Sequence, residues 1–544
     1  MNDTIAAVVQ KLFDLSEPVT VTRPDAQFGD YATNIALQLA KKVGKAPRDI
    51  AEQIAAELRG TGQYQEVNVA GPGFINIRLT DKALLAELTT NSNKTRDGQV
   101  VVIETNNPNP FKAMHIGHAF NAILADTIAN LLEADGATTH RVSYHGDVGS
   151  HVGKSMWALL KYIDGDIAKL HAVPANERNS FMSRMYAEGA AAYKADDQAK
   201  QAIIHLAQQS FTLEDPLYRE VYETCKAWSF EELDKIVKRL GNMPVEKRYL
   251  ESAADQLGVD TVRQHVGDVF IENEGALVFP GSEYGSFDNA FVSSTGRGLY
   301  GARDLGLMQL KNSDYHAEKS YIVTAEEQRD YFKGVIKAAE LCLPELTGVT
   351  TNISTGTVVL STGKMSSRTG EVIEIAWLFD RVAEAIAERG GQPTDEIVAG
   401  ALRYQFLKVR IGSDVVFDIN EAVSLHGNSG SYLQYAHARA KSILEKATAE
   451  PAEIATVELD PAERSLVRKL TEYTEIVQTA QRDLLPHGIC TYLYELCQEF
   501  NRFYEKSRVI GSDQEAKRVA LVTQYANTLQ RGLAILGIHA PDKM

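Results

Sequence analysis

One short stretch, 100–144, constrains this chain more than any other. Val100-Val101-Val102-Ile103 is a continuous β-branched run, the pattern of a strand buried on both faces in a parallel sheet. A loop with Pro108 and Pro110 follows. Apolar residues then recur at helical spacing over about 115–133 (Ile116, Phe120, Ile123, Ile128, Leu131, Leu132), and Asp135-Gly136 supplies the C-terminal stop. Arg141-Val142-Ser143-Tyr144 reads as the returning strand. Strand, crossover helix and strand make one βαβ unit of a nucleotide-binding sheet, which commits the middle of the chain to the α/β class.

The rest of the 544 residues is organised around that unit. At roughly 150 residues per domain, three or four domains are expected. Residues 1–90 read as an α+β domain. Ile5, Val8, Val9, Leu12 and Leu15 fall at helical spacing, residues 34–40 open a second helix, and 67–79 reads as two strands about Gly71-Pro72-Gly73. The polar, turn-rich run 91–98 marks a boundary. Residues 91–425 form the expected Rossmann-type parallel-sheet domain. A helical insertion near 155–260 divides the sheet, and strand signals return at Leu277-Val278-Phe279, Tyr321-Ile322-Val323 and Thr357-Val358-Val359-Leu360. Residues 426–544 read as an all-helical bundle, with Leu466, Leu470, Tyr473 and Val477 on one face and Ile489, Leu493, Leu496, Phe500 and Phe503 on another.

Composition removes several function classes. No run of about 18 apolar residues exists, so no transmembrane helix is expected. Met1-Asn2-Asp3 lacks the basic region of a secretory signal. Cys225, Cys342, Cys490 and Cys497 form no Cys-x-x-Cys pair, so neither a disulfide framework nor a zinc site is expected, and a cytoplasmic setting fits. The net charge of −16 counts against a nucleic-acid partner. It is uneven, however: residues 1–90 carry −2, 431–544 carry −1, and the middle carries −13.

The sharpest chemical signal is His115-Ile116-Gly117-His118, after a strand and at a helix start. Composition would produce His-x-Gly-His by chance about 0.02 times per chain. Two imidazoles there can donate to phosphate oxygens with help from the helix N-terminus, and Gly117 leaves room for a base or ribose. A histidine pair that merely caps the helix is the plain alternative. Gly363-Lys364-Met365-Ser366-Ser367-Arg368, in the loop 361–370, follows another strand signal and offers a cation and hydroxyls to a polyphosphate. Alone it would be a surface turn. The two motifs together, each expected after a strand of one sheet, are hard to obtain independently.

These motifs resemble the HIGH and KMSKS signatures of class I aminoacyl-tRNA synthetases. Further residues resemble the arginyl-tRNA synthetase family within that class: Glu104-Thr105-Asn106-Asn107-Pro108-Asn109-Pro110 leading into HIGH, Leu299-Tyr300-Gly301-Ala302-Arg303-Asp304, Gln328 after the next strand, Gly430 to Ala436, and Leu536 to Pro541. Gly146-Asp147-Val148-Gly149-Ser150-His151 departs from the family form at Val148 and His151. The resemblance implies ATP-dependent ligation of L-arginine to the 3′ end of tRNA through arginyl-adenylate. It places His115, Gly117, His118, Gly146, Lys364, Met365, Ser366 and Ser367 with ATP, and His115, His118 and Lys364 in catalysis. Mg²⁺ would come with the nucleotide, with no metal held by the protein. Glu104, Asn107 and Asn109 fall near the amino-acid end, and Tyr300, Asp304 and Gln328 around the arginine side chain. Residues 1–90 resemble a module for the outer corner of tRNA, and the bundle one for the anticodon loop, with Tyr432, Tyr435 and Arg439 as candidates. A monomer without membrane or DNA partners is expected.

Substrate chemistry supports this. A guanidinium is planar, permanently charged and presents five donors, so it wants acidic or amide acceptors in its plane. Glu104 closes a buried strand at the edge where ligands bind. Tyr300 and Asp304 share a face if their segment is helical. Plainer roles remain open: a salt bridge for Glu104, a cap or an Arg303 pair for Asp304, bundle packing for Tyr432 and Arg439. Two other functions also remain open, a small-molecule nucleotidyltransferase of the same superfamily and a non-catalytic tRNA-binding paralogue. The long helical C-terminus argues against the first. Intact His115, Gly117, His118 and Lys364 argue against the second.

Overall fold

The computed structural model describes residues 1–88, 94–361, 373–453 and 458–544. At its centre is a five-stranded sheet: β1 (Val100–Glu104), β2 (Thr138–His145), β3 (Lys247–Leu250), β4 (Lys319–Ala325) and β5 (Thr350–Thr355). Their spatial order is β5-β4-β1-β2-β3, and every pairing is parallel. Val101, Val102 and Ile103 are fully buried, as a central strand covered on both faces requires. The chain winds outward from β1 through β2 to β3, then returns to lay β4 on the other side of β1. That reversal opens a crevice at the carboxyl ends of β1 and β4.

Helix α1 (Ile116–Ala134) joins β1 to β2. It is apolar nearly all round, with Ile123, Ala125, Ile128, Ala129 and Leu131 fully buried, because it is covered on its far side as well as by the sheet. Helices α2 (Glu251–Gln264), α3 (Tyr300–Tyr315), α4 (Asp395–Leu407) and α5 (Gly430–Glu445) complete the set used below. Residues 150–239 are helical and bury their own cluster, including Val152, Met156, Leu159, Tyr218, Tyr222 and Cys225.

Three strand expectations need correction. The stretch 155–260, read as a mostly helical insertion, contains β3, whose Lys247-Arg248-Tyr249-Leu250 lacks the β-branched run because it lies at the sheet's edge. Ala276–Phe279 pairs instead in a separate antiparallel sheet with Ile271–Asn273 and Asn289–Val292. Val358–Leu360 is also outside the main sheet, pairing with Val415–Phe417. The chain leaves β5 at Gly356, which packs so closely on Ser413 that a Cβ there would lie 2.2 Å from its carbonyl oxygen.

The ends of the chain meet. In the N-terminal unit, strands Val21–Thr22, Tyr31–Thr33, Phe74–Leu79 and Tyr64–Ala70 form an antiparallel sheet. Its buried Asp30 receives Arg464 at 2.6 Å, and Asp81 receives the other arm of the same guanidinium at 2.6 Å. Arg23 reaches Glu475 at 2.8 Å. The C-terminal segment also returns to the catalytic region. Arg403 on α4 is fully buried, pairs with Asp126 of α1 at 2.9 Å, and donates to the carbonyls of Leu536 and Leu240 and to Asn242. Burial lowers its pKa, and Asp126 counters that. Gly537, at φ +68°, is pressed onto this guanidinium; a Cβ there would lie 2.1 Å from a terminal nitrogen.

Replacing Arg403 with Met removes a cation from a buried, multiply bonded site. Such losses cost about 3–5 kcal/mol. Denaturant unfolding of Arg403→Met should show a loss of that order, and a change within experimental error would deny the cluster its structural weight.

Candidate active site

The crevice holds a cavity of about 580 Å³. Its wall brings together residues far apart in sequence. Glu104, Asn107 and Asn109 come from the end of β1 and the loop after it, His118 from α1, Gly146 from the loop after β2, Tyr300 and Asp304 from α3, and Gln328 from the 3₁₀ turn after β4. Lys364, Met365, Ser366 and Ser367 lie outside the described residues. Tyr432, Tyr435 and Arg439 lie on α5 and do not line the cavity.

The loop after β1 is fixed by its side-chain amides. Asn107 Oδ1 accepts from Tyr144 N at 2.9 Å, and Asn109 Oδ1 accepts from Gly146 N at 2.8 Å. His145 bonds the carbonyl of Pro108 at 2.6 Å from beneath. A Cβ on Gly146 would lie 2.8 Å from Glu251 Oε1 and 3.1 Å from Asn109 Oδ1, so a residue without a side chain is needed there. The unusual His151 bonds the Gly146 carbonyl at 2.7 Å, and Asp147 accepts from Ser252 and Tyr222. This loop is therefore tied down from both sides.

His115 caps α1, its Nδ1 accepting from His118 N at 3.3 Å. The two imidazoles stack with centroids 3.5 Å apart. Burial, with Lys112 nearby, brings His115 down to about 4, and burial holds His118 well below its ordinary value. Both rings are neutral at physiological pH. Because Nδ1 of His115 is an acceptor, its proton sits on Nε2. The capping alternative is thus realised, and it leaves a donor on the other side of the ring.

The three carboxylates lining the cavity differ. Glu104 is paired with Lys311 at 2.6 Å, both side chains buried. Glu251 is paired with Arg303 at 2.8 Å. Asp304 has no cation within ion-pair distance among the described residues; it accepts only from Tyr331, at 2.5 Å. Burial, reinforced by the charges of Glu251 and Glu104, raises its carboxyl to about 7. Arg303 spends its guanidinium on Glu251 and Asp255 rather than on Asp304. Tyr300 and Asp304 do share one face of a helix, and the Tyr300 ring is 67% exposed at the cavity mouth.

Four titratable lining residues escaped the sequence reading. Glu251 opens the helix directly after the unrecognised β3. Tyr144 was taken only as a strand residue. Tyr331 lies three positions after Gln328 on the next helix, and Lys112 three before His115. On α5, Tyr432 accepts from Asn501 at 2.8 Å and meets the Tyr494 ring edge-on. Arg439 lies 4.8 Å over the Tyr504 ring, while Tyr435 is 41% exposed.

Comparison with known proteins covers the whole chain. A family model described as arginyl tRNA synthetase N terminal domain matches residues 1–79. One described as tRNA synthetases class I (R), catalytic domain, matches 80–399, and one described as DALR anticodon binding domain matches 433–544. Among curated relatives, an arginine–tRNA ligase of Frankia casuarinae is 30% identical over 99% of this chain and 97% of its own length. Another, of Synechococcus elongatus, is 28% identical over 97% and 96%. Two solved structures share the fold: arginyl-tRNA synthetase of Thermus thermophilus (24% identity, TM-score 0.74, 100% of this chain and 99% of that one) and of Plasmodium falciparum (19%, 0.78, 100% and 98%).

The cavity electrostatics have a measurable consequence. A cation that seats on Asp304 binds its ionised form, so affinity should plateau above pH 7 and weaken as pH falls, by up to about tenfold per unit well below the pKa. Calorimetric titration with L-arginine between pH 5.5 and 8.5 reads this directly. In Asp304→Asn the affinity should be low and flat across that range, since burial keeps His115 and His118 neutral throughout it. A flat profile in the unaltered protein would show that this carboxyl is not the seat.

Proposed function

The chain belongs to the arginyl-tRNA synthetase family of class I, and from that membership we infer how its own residues attach arginine to tRNA at the expense of ATP. The observation that carries the assignment of the arginine seat is Asp304. Of the three carboxylates lining the cavity, it is the one whose charge no Lys or Arg of the described residues neutralises. The guanidinium of the substrate supplies that charge. Tyr300 covers its plane, and Gln328 offers a further amide acceptor. Glu104, Asn107 and Asn109 hold the amino-acid end.

ATP takes the side of the cavity near His118, Gly117 and Gly146. The arginine carboxylate attacks the α-phosphorus, the bond to the β-phosphate oxygen breaks, and pyrophosphate leaves with arginyl-adenylate formed. Neutral His115 and His118 act as N–H donors to the phosphate oxygens rather than as cations. Lys364, with Met365, Ser366 and Ser367, stabilises the leaving pyrophosphate. Ile373 O accepts from Ile116 N at 2.9 Å, so the described chain resumes beside His115, which supports this role for Lys364. Mg²⁺ arrives on the polyphosphate; among the described residues no group of three or more His, Cys, Asp or Glu could hold a metal ion. The arginyl group then passes to the 2′-hydroxyl of the terminal adenosine, displacing AMP.

The division of labour proposed along the chain puts 1–90 at the outer corner of tRNA, 91–425 in catalysis and 426–544 at the anticodon loop. Tyr435, the exposed ring of the three candidates on α5, is the best placed to stack on an unpaired base. Four buried free thiols suit the reducing cytoplasm, and no described helix is long and apolar enough to cross a membrane.

Arginine-dependent ATP–pyrophosphate exchange, with and without tRNA and with lysine in parallel, tests the assignment. Exchange with arginine alone of the two amino acids is the expected result. Absence of exchange in every condition, with tRNA binding intact, would indicate a non-catalytic relative. Lys364→Ala should lower kcat for adenylate formation by about 100-fold or more while arginine affinity holds; an unchanged kcat would remove Lys364 from the mechanism.

A further inference from the structure

Behind the cavity wall is a buried ion pair that no step above uses. Lys311 Nζ lies 2.6 Å from Glu104 Oε1, with the two side chains only 3% and 2% exposed. Lys311 itself does not line the arginine cavity. The other carboxylate oxygen, Oε2, accepts from Asn107 Nδ2 at 2.7 Å, and Asn107 Oδ1 accepts from the backbone N–H of Tyr144 at 2.9 Å. An ordered chain therefore runs from α3 through the end of β1 to the end of β2. Glu104 and Asn107 form its face toward substrate.

Lys311 is on the same helix as Asp304 and seven residues further on, two turns along the same face. Leu307 and Met308, between them, line the cavity. One helix stripe thus carries the guanidinium seat at one point and the counter-ion of Glu104 at another.

A buried pair of this kind is weak evidence of stabilisation, since an apolar replacement of both partners is often neutral. Its effect on Glu104 is more specific. A buried carboxylate deprived of its ion-pair partner is left uncompensated and has nothing to hold it in its place. An ammonium has three N–H groups and no acceptor, so it needs Glu104 ionised and turned toward it. We propose that Lys311 is a positioning residue for recognition of the α-ammonium group of arginine: it holds the Glu104 carboxylate in place and, through Glu104, sets the orientation of Asn107. The proposal rests on the reading that Glu104 and Asn107 face the amino-acid end of the substrate.

The probe that isolates this role is 5-guanidinopentanoate, which is arginine without its α-amino group. Binding of both compounds is measured by calorimetry at constant pH in the full-length protein and in Lys311→Met, Lys311→Arg and the paired Lys311→Met/Glu104→Gln. In the unaltered protein arginine should bind about 30-fold more tightly than the probe. Lys311→Met should weaken arginine about 30-fold and leave the probe within about twofold, so that the advantage of the α-amino group disappears. Lys311→Arg should recover most of it. The paired variant, neutral and close in volume, guards against misfolding and should show the same lost advantage without a further loss.

Equal affinities for arginine and the probe in the unaltered protein would overturn the reading of the Glu104 end itself. A clear α-amino advantage that survives Lys311→Met, or a loss that strikes arginine and the probe alike, would overturn the role of Lys311 alone.

Discussion

The guanidinium of Arg403 is the point on which the architecture depends. It is wholly buried, and its donors go to α1 through Asp126, to the end of the helical insertion through Leu240 and Asn242, and to the last turn of the chain through Leu536. Those partners come from three regions of the sequence, and a planar cation with five donors can satisfy them at once. Asp126 also receives Arg141 of β2, so the first crossover unit is held in the same cluster. The helix that presents His118 to the cavity is thereby referenced to the sheet beneath it and to the C-terminal region above it. The terminal segment that resembled part of an anticodon-binding domain has a structural use here: Gly537 is the residue thin enough to lie on the guanidinium, and the carbonyls of His539 and Pro541 receive Gln434 and His437 of α5.

The cavity treats its charges in a different way. Two of its carboxylates carry a cation built into the chain and the third waits for one. A site lined by three free carboxylates would attract any small cation and would resist burial. Pairing Glu104 with Lys311 and Glu251 with Arg303 leaves Asp304 as the one lining carboxylate without an ion-paired cation among the described residues. The histidines follow the same economy. Held neutral by burial, they offer N–H donors without placing further positive charge beside Lys112.

What could be read in the sequence follows the range of the interactions involved. The βαβ unit was legible because a centrally buried strand and an all-round apolar helix are local patterns, and both fell where the sequence placed them. The lining of the cavity by Glu104, Asn107, Asn109, Tyr300, Asp304 and Gln328 could be anticipated through resemblance to a family, whose motifs bring together positions that no periodicity connects. β3 was not legible, since an edge strand with two charges has no apolar signature. Without β3, Glu251 could not be placed, because its position depends on the strand that precedes it. Lys311 was invisible for another reason: a lysine two turns along a helix looks solvent-facing until the strand holding its carboxylate partner is packed against it. The membership of Val358–Leu360 in a separate ladder is likewise set by a close backbone contact at Gly356, which sequence spacing does not encode.

The docking of the two ends of the chain bears on the order in which the protein can be completed. Asp30, buried in the N-terminal unit, is satisfied by Arg464, 434 residues later. At synthesis rates of about 5–20 residues per second, that partner emerges tens of seconds after the acid it pairs with. Throughout that interval the N-terminal sheet holds a carboxylate without its cation, and a shorter wait of the same kind separates Arg403 on α4 from Leu536. The N-terminal sheet therefore reaches its final state only after the segment around Arg464 has been made, and the nascent chain must wait for a partner hundreds of residues away.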